Sequence, residues 1–277
     1  RSGKNQYFVY DDDLHTRTAE DKATERLLRK AVLDRRIRVH YQPIMAANGV
    51  DVVGVEAVAR LIDDDGQVRM PADFLPIAER TGLVGAIDAW VLMESCRCIG
   101  EVSRNLGQSL AVSVNVSAQF VARADLVEVV TASLQAAGQP PSALMLEISE
   151  EALDHLSPTS MAALKELRRE GARVALDNFG TDSAQLSALR RLPLSHIKVD
   201  RPSIARMLGD DRDLAVIEAV TWLVDRLGLT WIAEGVETDE QWQAVQRFGP
   251  GLAQGFLFAA PLEEADLRRA LGGGGGL

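Results

Sequence analysis

RVALDNFGTDSAQLSALRRLPLSHIKVD, residues 173–200, is the stretch that decides the fold. It opens on one short run, RVALDNFG (173–180), and closes on another, HIKVD (196–200). Both are apolar on both parities, which is how strands buried on two faces read. Both also end in polar residues: Asp177 and Asn178 in the first, Lys198 and Asp200 in the second. In parallel α/β folds the carboxyl ends of such strands carry the chemistry.

The same punctuation extends in both directions. IRVHYQPIM (37–45) and VDVVGVEAVARLI (50–62) come first, followed by LAVSVNVS (110–117) and LMLEISE (144–150). TWIAEGVE (230–237) and AQGFLFA (253–259) follow the central pair. Between the runs lie stretches of helical period: 86–102, 125–138, 160–171, 212–228 and 239–249. Several stop on Gly after basic residues, as in RREG (168–171), and Gly138 is followed by Pro140 and Pro141. These are helix stop signals. Eight strand candidates alternating with helices predict an α/β fold, a (β/α)₈ TIM-like barrel. An open doubly wound sheet is the alternative, but no GxGxxG follows any strand.

The chain has 277 residues, with 40 acidic and 30 basic side chains and a net charge of −10. Its 47% hydrophobic content is that of a globular protein and excludes a disordered chain. The acidic balance speaks against a nucleic-acid polymer as partner. It leaves room for a small anion, provided local Arg or Lys or bound divalent cations offset the carboxylates. No apolar run is long enough to span a bilayer, and RSGKNQYFVYDDD lacks the apolar core of a signal peptide. Cys96 and Cys98 read as packing residues in a reducing compartment, and the four scattered histidines give no zinc pattern. Trp90, Trp222 and Trp242 sit on helical patterns and read as core. Phe74 either stacks on a base or packs the barrel wall.

Residues 1–30 differ in kind. RSGKNQYFVYDDDL reads as a last strand and turn, and the following charged stretch as a helix. The expectation is the tail of a preceding domain and a helical connector over 1–30, the barrel over 31–270, and a flexible Gly tail over 271–277. On this reading the barrel domain is cytoplasmic.

The polar residues at strand ends are Glu56, Asn115, Glu147, Asp177, Asn178, Lys198, Asp200, Glu234, Glu237 and Gln254. A lone carboxylate there is ordinarily a cap or half of an ion pair. So many at one barrel mouth would repel and resist ionisation. Oxygen donors with an Asn suit hard cations such as Mg²⁺ or Mn²⁺. Two such ions can clamp the attacking and leaving oxygens of a phosphodiester. Lys198 among these acids is either a structural ion pair or the group that orients or deprotonates the attacking water.

These residues carry a resemblance. YQPI (41–44), VEAVAR (55–60), PADFLPIAERTGL (71–83), SVNVS (113–117), LEISE (146–150), ALDNFGT (175–181), LPLSHIKVD (192–200), AEGVET (233–238) and QGFLFAAP (254–261) occur in family order. The chain resembles the EAL domain family of cyclic di-GMP phosphodiesterases. The resemblance implies a modified (β/α)₈ barrel with an antiparallel first strand. It also implies hydrolysis of cyclic di-GMP to linear pGpG with Mg²⁺ or Mn²⁺. By motif, Glu56, Asn115, Glu147, Asp177, Asn178 and Asp200 are the metal positions. Lys198, Glu56, Glu234 and Gln254 are catalytic positions, and Gln42 and Arg60 contact substrate. Glu150 and Glu237 anchor the loop that follows Asp177. The N-terminal segment resembles the end of a GGDEF domain, implying upstream GGDEF or sensor domains.

The family motif DDFGTGYSSL reads DNFGTDSAQL (177–186) here, and Val58 stands for the Leu of EAL. Asn178 replaces a charged ligand with a neutral one, which implies a weaker second ion. Asp182 and Ser183 alter the loop that the resemblance ties to contacts with a second copy in a homodimer. Two readings remain open: an active phosphodiesterase, or a cyclic di-GMP receptor with weak or no activity. A third, a partner-binding domain, needs no nucleotide.

Overall fold

The structure is a computed structural model. It describes residues 12–179, 189, 191–249 and 251–272, with side chains from residue 21 onward. The order of elements is α1 (Asp12–Leu33), β1 (Ile37–Met45), β2 (Val52–Ile62), β3 (Val68–Arg69), α2 (Pro71–Arg80), α3 (Val84–Leu106), β4 (Ala111–Asn115), α4 (Ala118–Val121) and α5 (Leu126–Ala137). There follow β5 (Leu144–Ser149), α6 (Glu150–Leu153), α7 (Pro158–Glu170), β6 (Arg173–Phe179), β7 (His196–Val199), α8 (Arg201–Arg206), α9 (Asp211–Arg226), β8 (Thr230–Ala233), α10 (Asp239–Arg247), β9 (Leu252–Ala253) and α11 (Glu264–Gly272).

β2, β4, β5, β6, β7, β8 and β9 are parallel neighbours in that order. β1 runs antiparallel to β2 on one side and to β9 on the other, which closes the barrel. The expected TIM-like barrel with an inverted first strand is therefore the fold. β3 only extends the edge of β2.

Alternation along the strands divides the side chains. Val112 and Val114, Leu144, Leu146 and Ile148, Val174 and Leu176, and Ile197 and Val199 pack outward in the large core shared with the helices. Inside, Ile44, Met145, Ala175 and Ile232 form a separate apolar floor, with Val53 and Leu252 against it. Side chains recur on one face every second residue. The next inward positions are therefore Glu147 after Met145, Asp177 after Ala175, Glu234 after Ile232 and Gln254 after Leu252. On β1, which runs the other way, Gln42 precedes Ile44 and sits opposite Glu56. A polar ring thus rests on an apolar plug at the carboxyl ends of the strands.

The helices end where glycine allows it. Gly107, Gly138 and Gly171 each take the left-handed conformation that terminates α3, α5 and α7. Cys96 and Cys98 are free and buried on α3, as packing residues are.

Three details differ from the sequence reading. AQGFLFA is not a full strand: β9 stops at Ala253, and Gln254 lies just past its end. Gly255 lies so tightly against the Val236 backbone that no side chain fits, and the chain turns there. Asp12–Leu14 belong to α1 rather than to a turn, while the expected strand over residues 1–11 lies outside the described residues. Trp222 is 65% exposed and not core. Leu28 and Ala31 of α1 are fully buried against the barrel. The Gly tail beyond residue 272 and the altered positions Asp182 and Ser183 lie outside the described residues. No helix among the described residues is long and apolar enough to cross a membrane.

Candidate active site

The barrel mouth is organised around one ammonium group. Lys198 comes from the end of β7 and is 1% exposed. Its Nζ lies 2.5 Å from Glu234 Oε1, 2.9 Å from Glu147 Oε1, 3.0 Å from Glu56 Oε2 and 3.9 Å from Asp177 Oδ1. Four strands thus send a carboxylate to a single cation.

Neutral groups tie the ring together. Asn115 Nδ2 donates to Glu56 Oε1 at 2.8 Å. Gln254 Nε2 donates to Glu56 Oε2 at 2.5 Å and to Glu234 Oε1 at 3.3 Å. Ser113 donates to Glu147. Ser113 was not singled out in the sequence. It lies two residues before Asn115 on β4, so strand alternation places it on the same inward face.

One lysine cannot neutralise four carboxylates, and the pKa values show the mismatch. Burial opposes charge on Glu56, but the Lys198 ammonium and hydrogen bonds from Gln254, Lys198 and Asn115 hold its carboxyl below the ordinary value. Burial, reinforced by the Glu56 charge, pushes Glu147 well up. Burial also raises Asp177, with Glu56 and Asp200 adding to it against Lys198. Burial and the neighbouring acids push Glu234 up to about 8. Burial alone would lower Lys198, but Glu147, Glu234, Glu56 and Asp177 hold it well above the lysine range. The expected resistance to ionisation is therefore present at Glu147, Asp177 and Glu234 but not at Glu56.

The remaining expected positions surround this core. Asp200 caps α8, its side chain accepting from Ser203 N at 3.3 Å. Asn178 donates to Asp177 Oδ2 at 2.8 Å. Gln42 Nε2 reaches the Ala259 carbonyl at 3.1 Å. Arg60 is 5% exposed and forms no ion pair among the described residues; its Nη1 donates to the Ala59 carbonyl at 2.9 Å. Burial lowers its pKa. Glu237 pairs with Arg201 at 2.5 Å rather than joining the ring. Glu150 opens α6. The loop that Glu150 and Glu237 are expected to anchor lies outside the described residues.

The donor set is oxygen-rich, as a hard dication requires. Among the described residues, no three His, Cys, Asp or Glu side chains form a ready cage around a common point; the ring converges on Lys198 instead. Three buried oxygens at the mouth nonetheless lack any hydrogen-bond partner: Asp177 Oδ1, Asp200 Oδ2 and Gln254 Oε1. Partnerless buried acceptors are costly. Together with four carboxyl groups gathered on one ammonium, they fit a cationic occupant.

His40, given no role in the sequence reading, also lies near this site. It lies on β1 opposite Val58, between the Gln42–Glu56 pair and the Arg38–Arg60 pair. Burial and the charge of Arg60 lower its pKa.

The family model for the EAL domain matches residues 25–261. The chain is 34% identical over 269 residues to the cyclic di-GMP phosphodiesterase NbdA of Pseudomonas aeruginosa, covering 97% of this chain and 34% of that protein. It is 35% identical over 266 residues to MucR of the same organism, a bifunctional diguanylate cyclase/cyclic di-GMP phosphodiesterase, covering 96% of this chain and 39% of that protein. The chain thus spans little more than a third of the length of these relatives. The solved MucR phosphodiesterase in complex with c-di-GMP superposes with a TM-score of 0.82 at 35% identity, over 88% of this chain and 99% of that one. The FimX EAL domain from Pseudomonas aeruginosa, bound to c-di-GMP, gives 0.76 at 23% identity over 87% of this chain and 96% of that one, a likeness of fold.

Proposed function

The chain belongs to the EAL domain family, and on that premise we propose that it hydrolyses one phosphodiester of cyclic di-GMP to give linear pGpG. The observation that carries the reading is the Lys198-centred ring of Glu56, Glu147, Asp177 and Glu234, with oxygens of Asp177, Asp200 and Gln254 that accept no hydrogen bond.

Glu56, Asn115, Glu147 and Asp177, with Asn178 and Asp200 beside them, would hold Mg²⁺ or Mn²⁺, two ions in the full complement. Bound there, the metal supplies charge compensation for the phosphoryl oxygens and a more acidic water. Gln254 bridges Glu56 and Glu234 and fixes both for that chemistry. Lys198 is held as an ammonium by the ring, so it first acts by positioning acids and water. Cations that neutralise the surrounding negative field would let its own proton leave, and only then could the free amine accept one from water.

Arg60 and Gln42 hold the nucleotide. Arg60 is a nearly buried cation without a counter-anion among the described residues. A phosphate offers its guanidinium the charge-assisted pair that it lacks. The acidic ring below rejects an anion unless cations are present, so substrate and metal bind together.

Incubation with cyclic di-GMP and Mn²⁺ or Mg²⁺, beside Glu56→Ala, tests the proposal. Linear pGpG from the parent chain and none from the variant is the expected result; intact cyclic di-GMP from both overturns it. The second reading, a receptor with weak or no activity, draws on Asn178. Its amide ties up Oδ2 of Asp177 and leaves Oδ1 as the carboxylate oxygen without a hydrogen bond. A binding isotherm on the inactive sample identifies that case. The domain is proposed to act in the cytoplasm, with GGDEF or sensor domains upstream and with a second copy as a further partner.

A further inference from the structure

Phe74 is fully buried, so it packs the barrel wall and does not stack on a base. Other rings of the barrel are also engaged. Tyr41 and Phe120 are buried, Phe179 is nearly so, and Phe258 stands edge-on to Trp242 at 5.3 Å. Among the described residues two large aromatics are exposed, Trp222 and Phe256. Trp222 lies near the end of α9 that leads into β8, at the opposite end of the barrel from the site. Phe256 is 62% exposed and two residues beyond Gln254.

The backbone that carries Phe256 is fixed at the mouth. Gly255 leaves no room for a side chain against Val236. Leu257 N donates to the Val236 carbonyl at 3.0 Å. Gln42 reaches the Ala259 carbonyl at 3.1 Å. The segment therefore spans the rim from the end of β8 to β1, held at both sides, with the Phe256 ring left in water between them. An exposed apolar ring on a backbone fixed at the rim of a polar site offers a stacking surface whose position is set in advance.

We propose that Phe256 is a substrate-positioning residue whose ring stacks on a guanine base of the cyclic dinucleotide. The inference rests on the reading of the site as one for cyclic di-GMP. Arg60 takes charge and Phe256 takes a π-face, so the two read different parts of one ligand. A phenyl ring has no hydrogen-bonding group, so it adds affinity without selecting the base.

The test compares the parent chain with Phe256→Ala, Phe256→Leu and Phe256→Trp, using cyclic di-GMP turnover and thermal melting. Base stacking on an aromatic side chain predicts a KM raised about tenfold in the Ala and Leu variants, with kcat nearly unchanged. Trp restores the parent KM, and all four proteins melt alike. If the parent binds without turnover, the Kd for cyclic di-GMP replaces KM. An unchanged KM in Phe256→Ala overturns the proposal, as does a Trp variant that fails like Ala. A parent chain that neither binds nor cleaves cyclic di-GMP overturns the functional reading itself, and this inference with it.

Discussion

Asn178 donates its side-chain amide to Oδ2 of Asp177 at 2.8 Å, from a left-handed backbone with φ 57°. The β6–β7 ladder is irregular between Leu176 and Phe179, so this residue sits in a bulge. Asn and Asp tolerate that conformation better than other side chains with a Cβ. The backbone is thus compatible with either residue, and the difference between them is electrostatic. Asn178→Asp exchanges a donor facing Asp177 for another anion. The variant is expected to need roughly tenfold less Mn²⁺ for half-maximal thermal stabilisation, within the range seen when groups next to metal ligands change. Without metal it should melt below the parent. Unchanged Mn²⁺ dependence would remove Asn178 from the metal site.

The barrel and most of this ring were legible because strand period and chemistry coincide. Met145 to Glu147, Ala175 to Asp177 and Ile232 to Glu234 each step from apolar floor to polar ring on one face, which a period of two exposes in sequence. Arrangement was less legible. Sequence placed Lys198 among acids but not at their centre. It missed Ser113, whose hydroxyl looks like any other on a strand. It took Trp222 for core because helical period alone does not say which side faces the barrel. It extended β9 through AQGFLFA, since the lack of space at Gly255 arises from Val236, a contact between separate segments.

Lys198→Met leaves the carboxylate ring without its cation. Removing one partner of a buried ion pair costs about 3–5 kcal/mol. The loss is expected near that range at pH 8 and smaller at pH 5. Glu147, Asp177 and Glu234 already have raised pKa values and take up protons once the lysine is gone. Urea denaturation at the two pH values, without added metal, measures it. An equal loss at both would show that the ring is not coupled through Lys198.

His196 gives a stability slope on the acid side. It is 8% exposed at the start of β7, with Nδ1 2.9 Å from Ser195 Oγ. Burial, with Arg173 and Arg168, pushes its pKa down to about 4. The folded pKa lies below the unfolded one, so the unfolded chain binds the proton first. The contribution is intact above about pH 6.5 and is lost as pH falls toward 4, at no more than about 1.4 kcal/mol per pH unit. His196→Gln removes the slope. Denaturant titrations of parent and variant at pH 7, 5.5 and 4 should show the parent's relative advantage shrinking with acid. A constant difference would mean that His196 titrates alike in both states.

Asp88 works in the opposite direction. It is 7% exposed on α3 and accepts from Ser117 Oγ at 2.6 Å and Ser117 N at 2.9 Å. Burial raises its pKa to about 6 against those two hydrogen bonds, with Glu79 adding to the rise. Here the folded state holds the proton longer. Stability is therefore lost as pH rises from about 4 to 6, and above that window the buried charge costs about 1–3 kcal/mol. Asp88→Asn keeps an oxygen for both Ser117 donors and removes the charge. It should be more stable than the parent at pH 7.5 and no more stable at pH 4. Because His196 and Asp88 slope against each other between pH 4 and 6, the parent curve alone conceals both. The Asp88→Asn difference isolates one of them. A variant less stable than its parent at pH 7.5 would show that the Ser117 contacts require the carboxylate charge, and that they outweigh its burial.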